Sequence, residues 1–324
     1  MWSSLVDARA SEGETGVVRH LLLLLLAGAC TASSGGEPLG GSCSHAVPCA
    51  TGGVCDYTAV DGPICIDAEA DTDGDGLINA IDHCPNVPGG LYDEDNDGIG
   101  DDCDKCPIAP PPAVPDPDGD DVDSPCDPDP NTPGDHILFF DGFQGSALGS
   151  AWIAAGDPTL WTPEGGELVV DSDVPAEQYL TINVAPQPNF AVETSYRVDE
   201  LETSATTHTV ATRALDSRPA GTAVFECGAV DSDVAISEVV ALQTDVNSTS
   251  HPAEIPAFAS ASLYESAAYA SGPSVGCTVI GDNMAVGTTQ SAITPSSLGQ
   301  VSLGVRAVTA RFEWVLVVGH ANAP

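Results

Sequence analysis

Three stretches of this chain set aspartates two residues apart: DTDGDGLINAIDHCP from Asp71, DEDNDGIGDDCDKCP from Asp93 and DPDGDDVDSPCD from Asp116. Their starts lie 22 and 23 residues apart, which makes them an internal repeat. Asp at the first, third and fifth positions, with Gly at the sixth, lets several carboxylates turn inward onto one point. Oxygen ligands around a hard cation require that arrangement, and calcium is the expected ion. By the ligand order of EF-hand loops, the first loop offers Asp71, Asp73, Asp75, the Leu77 carbonyl, Asn79 and Asp82. The second offers Asp93, Asp95, Asp97, the Ile99 carbonyl, Asp101 and Asp104. In the third, Asp116, Asp118, Asp120 and Asp127 keep the register, while Asp121 replaces the glycine and Pro125 intrudes. Two carboxylates about 6 Å apart repel by roughly 0.7 kcal/mol even in water, so without metal these loops are expected to be loose.

The flanks are Cys, Pro and Gly, with prolines at 85, 88, 107, 110, 111, 112 and 115, so paired helices are excluded on most of them. An acidic loop, then Asp-x-Cys-Pro, then a second acidic loop closing on Gly-Asp-Asp-Cys-Asp resembles the thrombospondin type-3 repeat. The resemblance covers about residues 71 to 130, and Asn79 stands where that family favours Asp. It implies backbone wound around a line of calcium ions and disulfides Cys84–Cys103 and Cys106–Cys126. The competing reading is an acidic disordered linker; regular Asp spacing and interleaved cysteines argue against it.

The whole chain carries 48 acidic residues against 8 Lys and Arg, a net charge of -40, which repels a phosphate backbone and excludes nucleic acid as partner. Between Asp67 and Asp135 lie 21 acids and one base, Lys105. Lys105 is the only lysine and no glycine-rich loop leads into it, which removes a Walker-type phosphate site and any lysine Schiff base elsewhere. Eleven cysteines in Gly/Pro-rich sequence point to disulfides and an oxidising compartment.

Arg19 and His20 precede Leu21 to Leu26 and then Ala27-Gly28-Ala29-Cys30. This apolar stretch is too short to span a bilayer and reads as a signal peptide over residues 1–29. Asp7, Glu12 and Glu14 suit its charged start poorly, so a true start at Val17 or Val18 is expected. Its end resembles a bacterial lipoprotein box, with Ala27 in place of the usual Leu, and implies lipidation of Cys30; plain secretion is the alternative. Residues 30–42 form a linker. From 43 to 67 four cysteines staple a segment too poor in apolar side chains to hold itself. Four cysteines permit three connectivities; a loose resemblance to half of an EGF-like module implies Cys43–Cys55 and Cys49–Cys65, in a spacer.

From His136 the composition turns to Val, Thr, Ala and Ser, with alternating runs such as FAVETSYRV from Phe190 and TAVFECGAV from Thr222. Alternation marks half-buried strands, and about ten of them between Gly, Pro, Asn and Asp turns mark an antiparallel sandwich. Cys227 and Cys277 are expected to bridge two strands. FFDGFQGSALGSAWIAAG, GGELVVDS and ARFEWVLVVG resemble laminin G-like and concanavalin A-like jelly rolls, a superfamily of sugar-binding modules and glucanases. The glucanase set Glu-x-Asp-x-x-Glu is absent, and the nearest carboxylates are Asp199, Glu200 and Glu202. The G-x-S-x-G at 272–276 runs into CTVIGD, a strand rather than the helix a nucleophile elbow needs. His136, His208, His251 and His320 lack zinc spacing and read as surface or turn residues. Trp152, Trp161 and Trp314 could stack on a sugar, with core the favoured reading.

The expectation is a mainly β protein: a C-terminal antiparallel sandwich (jelly roll) over 136–324, preceded by irregular, disulfide-linked, calcium-bound repeats over 68–135. Its function is expected to be calcium binding and adhesion or ligand binding at a cell surface or after secretion, through a glycan or surface protein, without catalysis. Membrane contact would come only through a lipid anchor. The alternatives are an extracellular carbohydrate-active enzyme and a purely structural envelope protein.

Overall fold

The computed structural model describes residues 36–110, 116–173, 175–216, 224–232, 237–243, 253–255, 263–271, 274–281, 284–291 and 298–320. The expected signal peptide, Cys30 and His251 lie outside them. The described chain falls into two compact units, 36–110 and 116–320.

The first unit holds one hairpin, β1 (Gly53–Asp56) and β2 (Ile64–Asp67), with Cys55 opposite Cys65. Disulfides Cys43–Cys55, Cys49–Cys65 and Cys84–Cys103 cross-link it, and Cys106 is disulfide-bonded too, as is Cys126 in the second unit. Its buried apolar side chains are Cys43, Cys65, Cys84 and Cys106 together with Pro85 and Pro107. With so little apolar surface to hide, covalent links replace a hydrophobic core. The cysteine segment is not a detached spacer. Asn86 Nδ2 donates to Asp56 Oδ2 at 3.0 Å and Asn79 Nδ2 to the Asp67 carbonyl at 2.8 Å.

In the second unit the strands are β3 (Asp135–Asp141), β4 (Ile153–Ala155), β5 (Trp161–Glu164), β6 (Glu167–Asp171), β7 (Gln178–Gln187), β8 (Asn189–Leu201), β9 (Thr207–Asp216), β10 (Val224–Ser232), β11 (Ser237–Gln243), β12 (Ala253–Ile255), β13 (Leu263–Ser271), β14 (Ser274–Gly281), β15 (Met284–Ser291), β16 (Leu298–Arg306) and β17 (Val308–His320). They form two antiparallel sheets, ordered β12-β11-β10-β9-β16-β7-β4 and β15-β14-β13-β8-β17-β6-β5. Among the described residues the one helical element is a 3-10 turn at Pro158–Leu160, and no helix is long and apolar enough to cross a membrane.

Alternation builds the sandwich. Leu168 and Val170 on β6, Leu180 and Ile182 on β7, and Val192 and Tyr196 on β8 all point into one core with Leu303 of β16 and Phe312 of β17. The Cys227–Cys277 disulfide joins β10 of one sheet to β14 of the other through that core. β17 reads as an apolar run in its second half because both faces are covered there, every residue from Trp314 to His320 being buried, and both of its edges are paired. β8 covers one along its length; β6 covers 309–312 of the other and β3 covers 315–320.

The third Asp-rich loop belongs with the sandwich. The sequence reading drew the boundary after residue 135, but Asp135 opens β3 and pairs with His320 of β17, so the loop's closing residues are already sheet.

Candidate metal centre

The three loops share one backbone. In each, the fourth and sixth residues take left-handed φ: Gly74 and Gly76 (83° and 101°), Asn96 and Gly98 (62° and 95°), Gly119 and Asp121 (84° and 76°). Glycine reaches this region freely and Asn or Asp tolerate it, so the exchange at Asp121 leaves the loop's course unchanged. That double reversal turns the amides of the loop toward the first aspartate. Gly74 N and Gly76 N donate to Asp71, Gly98 N donates to Asp93, and Gly119 N and Asp121 N donate to Asp116.

The later aspartates are oriented as regularly. The fifth-position Oδ1 accepts from the seventh-position amide: Leu77 N to Asp75 at 2.7 Å, Ile99 N to Asp97 at 2.8 Å, Val122 N to Asp120 at 3.1 Å. The twelfth-position Oδ1 accepts from the amide two residues on: Cys84 N to Asp82, Cys106 N to Asp104 and Asp129 N to Asp127, each at 2.8 Å. These hydrogen bonds hold the side chains in place, through one carboxylate oxygen at Asp82 and Asp127 and through both at Asp75 and Asp120.

Carboxylate oxygens converge in every loop. One oxygen each from Asp71, Asp73 and Asp75 lie within 4.8 Å of one another, as do those from Asp93, Asp95 and Asp97 and those from Asp116, Asp118 and Asp120. That spread is about twice a calcium–oxygen distance, so one ion can touch all three in each loop. Asp73 Oδ2, Asp82 Oδ2, Asp95 Oδ2, Asp127 Oδ2 and both Asp118 oxygens are buried with no hydrogen-bond partner. A buried carboxylate oxygen left so costs the desolvation of a charge, and a cation is the partner this donor set suits.

The electrostatics carry the same signature. Burial, then the Asp97 and Asp93 carboxylates, pushes Asp95 up to about 7. Burial, with Glu94 and Asp93 nearby, does the same to Asp101. Asp82, Asp97 and Asp118 are raised as well, each chiefly by burial. Asp75 goes the other way, because the Leu77 and Gly89 amides hold it low.

Asn79 and Asp101, at the ninth position, also brace the loop. Asn79 Oδ1 accepts from Thr72 N at 3.2 Å and Asp101 Oδ1 from Glu94 N at 2.9 Å, the same bond in both repeats. Sequence reasoning missed Asp135, whose carboxylate joins those of Asp120 and Asp127 within 4.8 Å. It lies eight residues beyond the last ligand position of its loop, in a strand, where spacing within the loop could not reveal it.

Elsewhere the structure relocates several side chains. His208 and His320 are buried on strands rather than at the surface: His208 Nε2 donates to the Glu202 carbonyl at 2.9 Å, and His320 faces Asp135. His136 lies on β3, partly buried, because the terminal strands pair edge to edge. Trp152, Trp161 and Trp314 are 9%, 3% and 8% exposed, so they are core and offer no stacking platform. Asp199 is held by Arg197 and Arg311, at 3.1 and 2.6 Å, which also share Glu167. Glu202 accepts from Ser204 N. Ser274 begins strand β14, paired with β13 and β15, and no helix follows it as a nucleophile elbow would need.

No known family pattern matches the sequence, and no curated protein does. Among solved structures, the CBM2 module of an evolved Dit protein from Lactobacillus casei BL23 phage J-1 matches at 6% identity and a TM-score of 0.46, covering 59% of this chain and 98% of that one. A Bacillus licheniformis β-glucanase matches at 12% identity and 0.43, over 56% of this chain and 97% of that one. A basic winged bean lectin matches at 7% and 0.45, over 58% and 99%. Identities and scores this low say nothing of what the present sandwich binds.

Proposed function

We propose that this is an exported calcium-binding protein whose Asp-rich loops are built around the ion and whose sandwich serves as a non-catalytic module for ligand recognition. One observation carries the first half: carboxylate oxygens, several of them buried without a hydrogen-bond donor, converge in three successive loops. Asp71, Asp73, Asp75 and Asp82 would hold an ion in the first loop, Asp93, Asp95, Asp97 and Asp104 in the second, and Asp116, Asp118, Asp120 and Asp127 in the third. The Leu77 and Ile99 carbonyls would add to the first two. The bound ion would neutralise the carboxylates and fix the loop course.

Export follows from the leader-like Leu21 to Leu26 run and from the disulfides, which persist in oxidising compartments. Lipidation at Cys30 would place the chain on an outward-facing membrane surface. The sandwich is proposed to bind a glycan or another surface protein.

The test is a calcium titration of the chain from Cys30 onward, carrying Cys30→Ser, followed by heat release and by proteolysis of residues 67–135, with magnesium as control. Saturable uptake with protection is the expected result. Absence of uptake would reduce the loops to a charged linker. The sandwich is tested by a glycan array and by pull-down from surface extracts, and a blank in both removes the recognition role.

A further inference from the structure

We infer that Asp120, Asp127 and Asp135 form a divalent-cation site that fastens the third loop to the first and last strands of the sandwich. It rests on the calcium reading of the loops for the choice of ion only.

The site is defined by one side chain that the loop pattern does not explain, Asp135, brought against the loop's twelfth-position aspartate, Asp127. Asp127 is fully buried and Asp135 is 3% exposed; the Oδ2 of each is buried with no donor group to bond, and the two carboxyls face each other beside the Asp120 carboxylate. Each is otherwise anchored. Asp127 Oδ1 accepts from Asp129 N at 2.8 Å, and Asp135 Oδ1 lies 3.1 Å from His320 Nδ1 on the last strand. Asp120 Oδ2 accepts from Gly134 N at 2.9 Å and Asp135 N at 2.7 Å, which pulls the start of β3 onto the loop.

A comparison with the first loop shows what is new. There Asp75 Oδ2 accepts from Gly89 N at 2.8 Å, fourteen residues on, as Asp120 does from Gly134. The next residue is Gly90, and a Cβ built on it would come within 2.6 Å of Asp82 Oδ1. The chain thus returns to the twelfth-position aspartate in both loops. In the first it brings a bare glycine; in the third it brings a carboxylate. Three carboxylates in so small a buried volume repel one another strongly, and a divalent ion converts that repulsion into a clamp. Because Asp135 pairs with His320 across β3 and β17, the clamp stabilises the sandwich itself.

The experiment compares the Cys30→Ser chain with its Asp135→Asn variant and with an Asp73→Asn, Asp95→Asn double variant. Bound calcium is counted by equilibrium dialysis. Thermal unfolding is followed by the fluorescence of Trp152, Trp161 and Trp314, in EDTA and in calcium. Calcium should raise the tryptophan transition of the parent. Asp135→Asn should raise that transition in EDTA, by removing one buried charge, abolish its rise in calcium, and lower the calcium count by one. The double variant should keep the rise. If Asp135→Asn lowers the transition equally in both conditions, Asp135 is only the partner of His320 and the site is overturned. An unchanged calcium count overturns it too, while a double variant that loses no calcium removes the loop reading alone. Asp135→Ser, read the same way, replaces Asp135→Asn if that variant does not fold.

Discussion

Asp95 shows what the loops demand of a single side chain. One oxygen accepts from Asp97 N at 3.0 Å, and the other is buried beside Asp93 and Asp97 with nothing to bond. Such a group is stable in two ways, as an acid or as a ligand, and pH separates them. The carboxyls of Asp95 and Asp101 are raised to about 7 from about 4 in an unfolded chain. Between those limits the folded chain holds protons that the unfolded chain releases, so the ion-free loop loses stability as pH rises from about 4 to about 7. A cation requires the deprotonated groups, so calcium affinity should climb across the same window. The near-UV signal of Tyr57, whose ring lies against Gly98, reports on this loop. In chelator its melting temperature should fall from pH 5 to pH 7.5; in saturating calcium it should rise. Equal slopes in the two conditions would remove the cation from the account.

Among the elements, the two sheets are held by their apolar faces and by one covalent link, Cys227 on β10 to Cys277 on β14. The link closes a loop with a sequence separation of 50, for which loop-closure entropy gives about 4 kcal/mol. Replacing both cysteines by Ala should lower the melting temperature of the sandwich by about 10 °C, read by tryptophan fluorescence. An unshifted transition would mean that the apolar interface alone sets the sheet spacing. The strands were legible in sequence because period-2 alternation is local: Phe190 to Val198 and Leu168 to Asp171 could be read directly. Loop chemistry was legible for the same reason, since the first, third, fifth and twelfth positions are fixed by a short stretch of chain. What depends on pairing between distant segments was not. Asp135 becomes part of a site only because β3 lies along β17, and His208 and His320 are buried only because their strands close the sheet. Asn79 and Asp101 suit a cation by type, and that one oxygen of each also accepts a backbone amide of its own loop could not be read from spacing.

At the scale of the whole molecule, the two units are stabilised by different physics, and reagents that unfold one should only lower the melting temperature of the other. Unit 36–110 buries cysteines, prolines and carboxylates, so its stability resides in disulfides and in whatever neutralises the aspartates. The sandwich buries a large apolar core that includes Tyr196, Tyr264, Phe312, Leu180 and Leu303, and burial of this kind withstands both reductant and chelator. Dithiothreitol with EDTA should therefore expose 36–110 to proteolysis within minutes. A fragment containing β3 to β17 should survive with its tryptophan fluorescence intact, although at a lower melting temperature once Cys227–Cys277 is open and the Asp120, Asp127 and Asp135 site is emptied. Dithiothreitol alone in calcium should cut more slowly, because the ions still neutralise the loops, and EDTA alone should leave the disulfide-stapled hairpin of β1 and β2 resistant. Mass spectrometry of the surviving fragments reads all three conditions in one experiment. Tryptophan signal lost in step with the first cleavage would show that the units unfold as one, and the stability of the sandwich would then have to be sought in the metal loops as well as in its core.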